Sequence, residues 1–372
     1  MKYPRYSYGD PSVKMRRAIM PIHTVYAEYP DFAVPITALE NFTRAITREN
    51  PLWVPNSFSD MQTIIAQYLV TEEVRGTRIN ADFQNHAPGD YTFIDWFNTS
   101  WTWIHSAGGA MLTPGTRLLE SITDWERDVV WPDLSEWDFE ETAARFMRNE
   151  YIPGKVLNID VGRGCTERLI SLVGGYTEGM LAFATEPEAA GAFCECYAEH
   201  IIALLDKVFE LYPVNMITYH DDWGTELDTF FSEKMMEDIV FGPTKRIIDH
   251  VKSKGVFFML HSCGNITRFM PYILDFNVDL LQIQRRAVNI PELKRKYGDR
   301  VGFNAGLEGA DLGAKLSNER LTDLIRNTVD LYAPGGGFLA TFFSADPEQL
   351  WHLLDELYAY SREFYDNERG RT

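Results

Sequence analysis

Cysteine is scarce in this chain: Cys165, Cys194, Cys196 and Cys263 are the four among 372 residues, and they form no framework of extracellular spacings. A disulfide scaffold is thereby excluded, and free thiols in a reducing compartment are expected. Long apolar runs are missing too. No stretch approaches the roughly 18 consecutive apolar residues of a membrane span, and none follows the basic start as a signal peptide would require, so a soluble, cytoplasmic protein is expected. Cations are outnumbered, with 35 Lys and Arg against 54 Asp and Glu, a formal net charge of −19. Such a field repels phosphate backbones and anionic lipid, which argues against nucleic-acid and membrane partners and leaves neutral, cationic or metal-bearing ones. Internal repeats and low-complexity segments are absent as well.

What is present is a 45% hydrophobic chain, enough for a large core. From about residue 150 onward, β-rich runs alternate with amphipathic helical stretches, the pattern of βα units around a parallel sheet. Strands are predicted over 155–161, 214–219, 256–260, 278–283, 301–304 and 337–343, with helices over 187–212 and 232–254 between them. The first 150 residues read differently: helices over 37–47 and 57–69, then a tryptophan-rich, Pro- and Gly-broken stretch containing Asp95-Trp96-Phe97, Trp101, Trp103, Trp125, Trp131 and Trp137. The expected architecture is α/β, a (β/α)8 TIM barrel whose main part is 151–372, with residues 1–150 as an N-terminal extension capping the barrel mouth, in one structural domain.

Polar residues gather just after the predicted strands: Tyr219-His220-Asp221-Asp222, His261-Ser262-Cys263, Gln282 with Gln284, and Glu308. In a (β/α)8 barrel these strand ends converge on one rim, so separated segments meet there. His261-Ser262-Cys263-Gly264 is the most informative of them. In extended backbone the i and i+2 side chains point the same way, so imidazole and thiolate can share one ion, for which zinc is the expected metal. Two ligands leave such a site incomplete, and a buried thiol beside a core histidine is the competing reading. The further ligand is left open among Asp222, Glu226, Glu308, Asp346 and Cys165. Asp221-Asp222-Trp223-Gly224 offers paired carboxylates that bind metal, orient a ligand or exchange a proton, although adjacent acids before glycine also serve as helix caps. Cys194-Glu195-Cys196 falls in a predicted helix, where side chains two apart diverge, and is read as structural.

The ordered set Ala38-Leu39-Glu40-Asn41-Phe42-Thr43-Arg44-Ala45, Glu167-Arg168-Leu169, Asp221-Asp222-Trp223-Gly224, His261-Ser262-Cys263-Gly264, Val278-Asp279-Leu280-Leu281 and Gly335-Gly336-Gly337-Phe338 resembles the uroporphyrinogen decarboxylase superfamily, especially its cobalamin-dependent methyltransferase branch. The Arg-Gln-Ala-Gly-Arg segment of its porphyrin decarboxylases is missing here. The later cysteine of its thiol-methylating members is also missing, because Ala340-Thr341-Phe342-Phe343-Ser344 fills that region. The resemblance implies Zn2+ on His261 and Cys263 and transfer of a methyl group from a methoxylated, aromatic or other methylated small molecule to a corrinoid (cobalamin) carried on a partner protein. It implies Asp222 and Glu308 as catalytic groups that complete the metal site or donate a proton. Tyr219, Asp221, Gln284, Trp96 and Phe97 would bind substrate, the tryptophan-rich region walling an apolar pocket. A methylcobamide:thiol methyltransferase, a metal-free decarboxylase and a small-ligand-binding barrel are the alternatives. A homodimer is the assembly left open.

Overall fold

The structure, a computed structural model, describes residues 3–19, 26–64, 89–104, 109–136, 138–307 and 315–370. Seven strands form one parallel sheet: β1 (Met61–Thr63), β2 (Val156–Val161), β3 (Met216–His220), β4 (Phe257–Ser262), β5 (Leu280–Ile283), β6 (Gly302–Ala305) and β7 (Phe338–Ala340), in that order. The sheet closes on itself. Asn56 bridges Ala340 in parallel, Ser57 N donates to Ala340 O at 2.9 Å and Ala340 N to Pro55 O at 2.9 Å, so the stretch leading into β1 stands in the place of the missing strand. The fold is that of a (β/α)8 barrel.

Alternation of side chains along each strand builds two cores. Outward-facing Leu157, Ile159, Ile217, Phe258, Leu260, Leu281 and Phe303 pack under the surrounding helices. Inward-facing Met61, Val156, Met216, Met259, Leu280 and Leu339 fill the N-terminal end of the barrel, where Phe42 and Ile46 of helix α1 (Ala38–Thr47) plug it. Closer to the C-terminal rim the interior turns polar. Thr218 Oγ1 donates to Asn158 Oδ1 at 2.9 Å, Asn158 Nδ2 to Asp160 Oδ1 at 2.8 Å, and Asn304 Nδ2 to Thr341 Oγ1 at 2.6 Å. These buried polar groups thus find partners within the barrel.

The outer helices are α2 (Cys165–Val173), α3 (Pro187–Leu211), α4 (Phe241–Ser253), α5 (Met270–Phe276), α6 (Ile290–Tyr297), α7 (Asn318–Tyr332) and α8 (Pro347–Arg369). The helix predicted over 232–254 begins at Glu233 and passes through a π-helical turn at Met236–Val240 before α4. Pro243 explains the widened turn, since its ring cannot sit over the carbonyl of residue 239 or supply an N–H. The helix predicted over 57–69 is corrected within the described residues: 57–60 form a turn and Met61–Thr63 a barrel strand. Asn56 Oδ1 accepts from Phe58 N and Ser59 N at 2.9 and 3.1 Å, an Asx turn that diverts the backbone from a helix.

Residues 1–150 are therefore partly barrel, supplying the plug and β1 as well as outer structure. The tryptophan-rich part folds as an antiparallel sheet of Tyr91–Ile94, Ser100–Ile104 and Gly109–Leu112. Trp137 and residues 65–69 lie outside the described residues. Among the described residues no helix is long and apolar enough to cross a membrane.

Candidate metal centre

His261 is the last inward-facing residue of β4 and is in register with His220 on β3 and Gln282 on β5. Its Nδ1 lies 2.7 Å from Gln282 Oε1. A carboxamide oxygen only accepts, so Nδ1 carries the proton and Nε2 presents its lone pair. That lone pair faces Cys263 Sγ at 3.5 Å and Asp222 Oδ1 at 3.8 Å. One ligand atom from each of Asp222, His261 and Cys263 lies within 4.8 Å of the others. Tetrahedral zinc at its usual bond lengths separates such ligands by roughly 3.4–3.6 Å, so the donor set fits that ion with little movement.

The surroundings hold this geometry. Cys263 N donates to Asp222 Oδ1 at 2.7 Å, Gln284 Nε2 donates to Cys263 Sγ at 3.1 Å, and Gly264 N donates to Gln284 Oε1 at 3.2 Å. Gly264 has φ +79°, and a Cβ there would sit 2.1 Å from Gly224 O, so the chain turns off β4 in a way open only to glycine. Behind the histidine, Gln282 Nε2 donates to Asn304 Oδ1, and Asn304 continues through Thr341 Oγ1 to Ser57 Oγ at 2.9 Å. This relay crosses four strand positions and fixes which way the Gln282 amide faces.

Electrostatically the cluster favours a cation. Burial and then the Asp222 carboxylate push the Cys263 thiol well up. Glu167, at the start of α2, is raised far above the usual carboxylate range by burial and by Asp222. The Tyr176 hydroxyl is raised by burial and by Glu167, Asp222 and Cys263. Anionic and potentially anionic groups therefore crowd one rim, and a divalent ion there would let the thiol ionise.

Asp222, His261, Cys263 and Gln284 are brought together; the other sequence candidates are placed elsewhere. Asp221 is wholly buried and caps α2, accepting from Thr166 N at 3.2 Å and Glu167 N at 3.0 Å. Burial nonetheless pushes it up to about 7. Tyr219 points outward, its hydroxyl accepting from Cys165 N at 2.8 Å, and it is fully buried. Phe97 packs in the core against Trp131, Tyr197 and His200. Trp96 is buried beside it in the same core. Among the other candidate ligands, Glu226 pairs with Arg286 at 3.0 Å on the surface. Asp346 caps α8 through Glu348 N and Gln349 N, and Cys165 is buried against Cys194 and Tyr219. Glu308 lies outside the described residues.

Sequence reasoning gave no role to His220, whose ring lies 4.5 Å from that of His261 and whose Nε2 is buried without a hydrogen-bond partner. Asp160 stands 4.0 Å from it. The readable signal was the alternation itself, because Asn158 with Asp160 and Thr218 with His220 place polar side chains on the inward face of otherwise apolar strands.

Comparison with known proteins bears on the fold that positions these residues. The model of the family Uroporphyrinogen decarboxylase (URO-D) matches residues 167–313, the span that holds Glu167, Asp222, His261, Cys263 and Gln284. A methyltransferase from Methanosarcina mazei superposes with a TM-score of 0.59 at 13% identity, over 87% of this chain and 99% of that one. A D-psicose 3-epimerase from Clostridium cellulolyticum H10 follows at a TM-score of 0.33 and 13% identity, over 61% and 82%, too remote to bear on the site. No curated protein matches the chain. The matched segment carries the candidate cluster on a closed parallel barrel, and over residues 167–313 the chain is similar to the uroporphyrinogen decarboxylase family.

Proposed function

We propose that the chain is a zinc-dependent, corrinoid-linked methyltransferase that takes a methyl group from a methoxylated or otherwise methylated small molecule and passes it to a corrinoid protein. The observation that carries the reading is the convergence of His261 Nε2, Cys263 Sγ and Asp222 Oδ1 at the C-terminal rim of the barrel. These three side chains would hold zinc, which would supply Lewis-acid polarisation of the leaving heteroatom, and the rim would orient the donor's methyl group toward the partner's corrinoid. The protein's own residues prepare the site. Gln282 orients His261, Gln284 donates to the Cys263 sulfur, and Asp222 ties the backbone of Cys263 to the rim. A carboxylate as third ligand, where thiol-methylating relatives use a further cysteine, supports an ether or amine donor over a thiol acceptor. A cytoplasmic location and a separate corrinoid partner belong to this same reading.

The first test is zinc content by mass spectrometry on anaerobically purified wild type, Cys263→Ala and His261→Ala. About one zinc per wild-type chain, lost in both variants while circular dichroism is unchanged, is expected. Metal-loaded protein is then offered methoxylated aromatic compounds with reduced corrinoid, and methylcobamide formation is followed spectroscopically. Wild type free of zinc, or zinc retained by both variants, would sink the proposal.

A further inference from the structure

At the N-terminal end of the barrel, opposite the rim with His261 and Cys263, a hollow of about 740 Å3 lies along α6, beside the end of α7 and the glycine turn that precedes β7. Arg48, Lys294 and Arg295 line it, against Glu292 and Asp299. Leu331 and Pro334 add an apolar wall. Acids outnumber bases 54 to 35 in the chain as a whole, yet no described carboxylate forms an ion pair with any of the three cations.

Two of the cations, Arg48 and Lys294, are held in place by carbonyl groups. Arg48 caps α1 in a left-handed conformation, φ +65°, with Nε donating to Gly298 O at 2.8 Å and Nη1 to Ile46 O at 2.9 Å. Its Nη2 is buried with no partner. The glycine turn is shaped around this guanidinium: Gly337 has φ +65°, and a Cβ there would lie 2.9 Å from Arg48 Nη2. Lys294 Nζ donates to Gly336 O, which brings a second charge to the same turn. Carbonyl oxygens satisfy N–H groups but do not neutralise them. Burial, and then the Arg48 charge, push Lys294 down to about 8. Of the two acids, Glu292 is engaged by Asn289 Nδ2 at 3.4 Å, while Asp299 attracts Arg48 without pairing with it.

We infer that this hollow is a binding site for a small organic anion carrying two or more negative charges, an organic phosphate or a polycarboxylate. Fixed cations in a concave, partly desolvated site attract such a group more strongly than the same charges on an open surface. The volume exceeds what one oxyanion fills, and the apolar wall would take the carbon body. Since the site is at the end of the barrel away from the rim, its occupancy stabilises the fold by binding the native state alone and needs no metal at the rim.

Isothermal titration of the full chain at low ionic strength, with inorganic phosphate, 3-phosphoglycerate and citrate as separate probes, tests this. Arg295 is the residue to vary, because it is exposed and no hydrogen bond or ion pair of its side chain would be lost. Saturable binding of 3-phosphoglycerate or of citrate is expected, weakened about tenfold or more in Arg295→Gln and largely restored in Arg295→Lys. The tighter of those two probes names the ligand class. An unchanged melting temperature of ligand-free Arg295→Gln would show that its fold is intact. No saturable binding of any probe, binding of inorganic phosphate alone, or equal affinity in wild type and Arg295→Gln would overturn the assignment. Zinc content of the same samples reports separately on the rim.

Discussion

His261 and Gln282 show how much of the rim depends on single contacts. The imidazole presents Nε2 to Cys263 and Asp222 only while Nδ1 donates to Gln282 Oε1 at 2.7 Å. Gln282→Leu removes that acceptor at similar volume and should lower zinc affinity by roughly 10- to 100-fold, with little change in fold. A chelator competition measures this; unaltered affinity would mean that the ring is oriented by packing alone. Gly264→Ala is expected to be worse, since its Cβ would be forced to within 2.1 Å of a carbonyl oxygen at a left-handed position. A fall in melting temperature together with lost zinc would register both effects. At this scale the His-x-Cys spacing was readable, because strand geometry alone puts i and i+2 on one face. The division between Asp221 and Asp222 was not. Adjacent residues on a strand exit point to opposite sides, and only the packed structure shows that Asp221 faces the start of α2 while Asp222 faces the cysteine.

The elements of the N-terminal region are joined to the barrel by a buried ion pair. Arg168 Nη1 on α2 donates to Asp95 Oδ2 at 2.6 Å, both side chains being 1% exposed. Asp95 also accepts from Phe97 N, Thr99 N and Trp101 Nε1, so one carboxylate organises the turn between the first two antiparallel strands. Asp95→Ala leaves a buried guanidinium without a counter-charge and should cost about 3–5 kcal/mol in urea unfolding. A loss below about 1 kcal/mol would show that water replaces the carboxylate. The six strands after residue 150 were legible, because both faces are buried and the apolar runs are short. β1 was not: Met61 and Ile64 mimic helical spacing, and its strand state comes from pairing with β2.

For the whole molecule, titration is governed by burial. His200 packs between Phe97, Trp131 and Tyr197, its Nε2 has no partner, and burial followed by the Arg168 charge pushes it down to about 4. The unfolded chain protonates this histidine near pH 6.5, so its contribution is complete above that value and is lost as pH falls toward 4. Asp60 runs the other way. Burial raises it to about 6, so the fold gains from it as pH drops through 6. His200→Phe keeps the Asp60 effect and removes the histidine one. Wild type should lose about 2 kcal/mol more stability than the variant between about pH 7 and about pH 5. Parallel denaturation curves at both pH values would show that His200 is protonated within the fold.

The amino-acid pattern by itself determined the strand and helix alternation, the parallel barrel and the pairing of His261 with Cys263, because these follow from local periodicity and from the convergence of strand ends. Tertiary structure alone decided that Asp222 completes the cluster and that Tyr219 and Phe97 turn to the core. It also decided that the residues before β1 close the ring. Each of those outcomes depends on contacts between segments tens to hundreds of residues apart, for which neither spacing nor composition carries a signal.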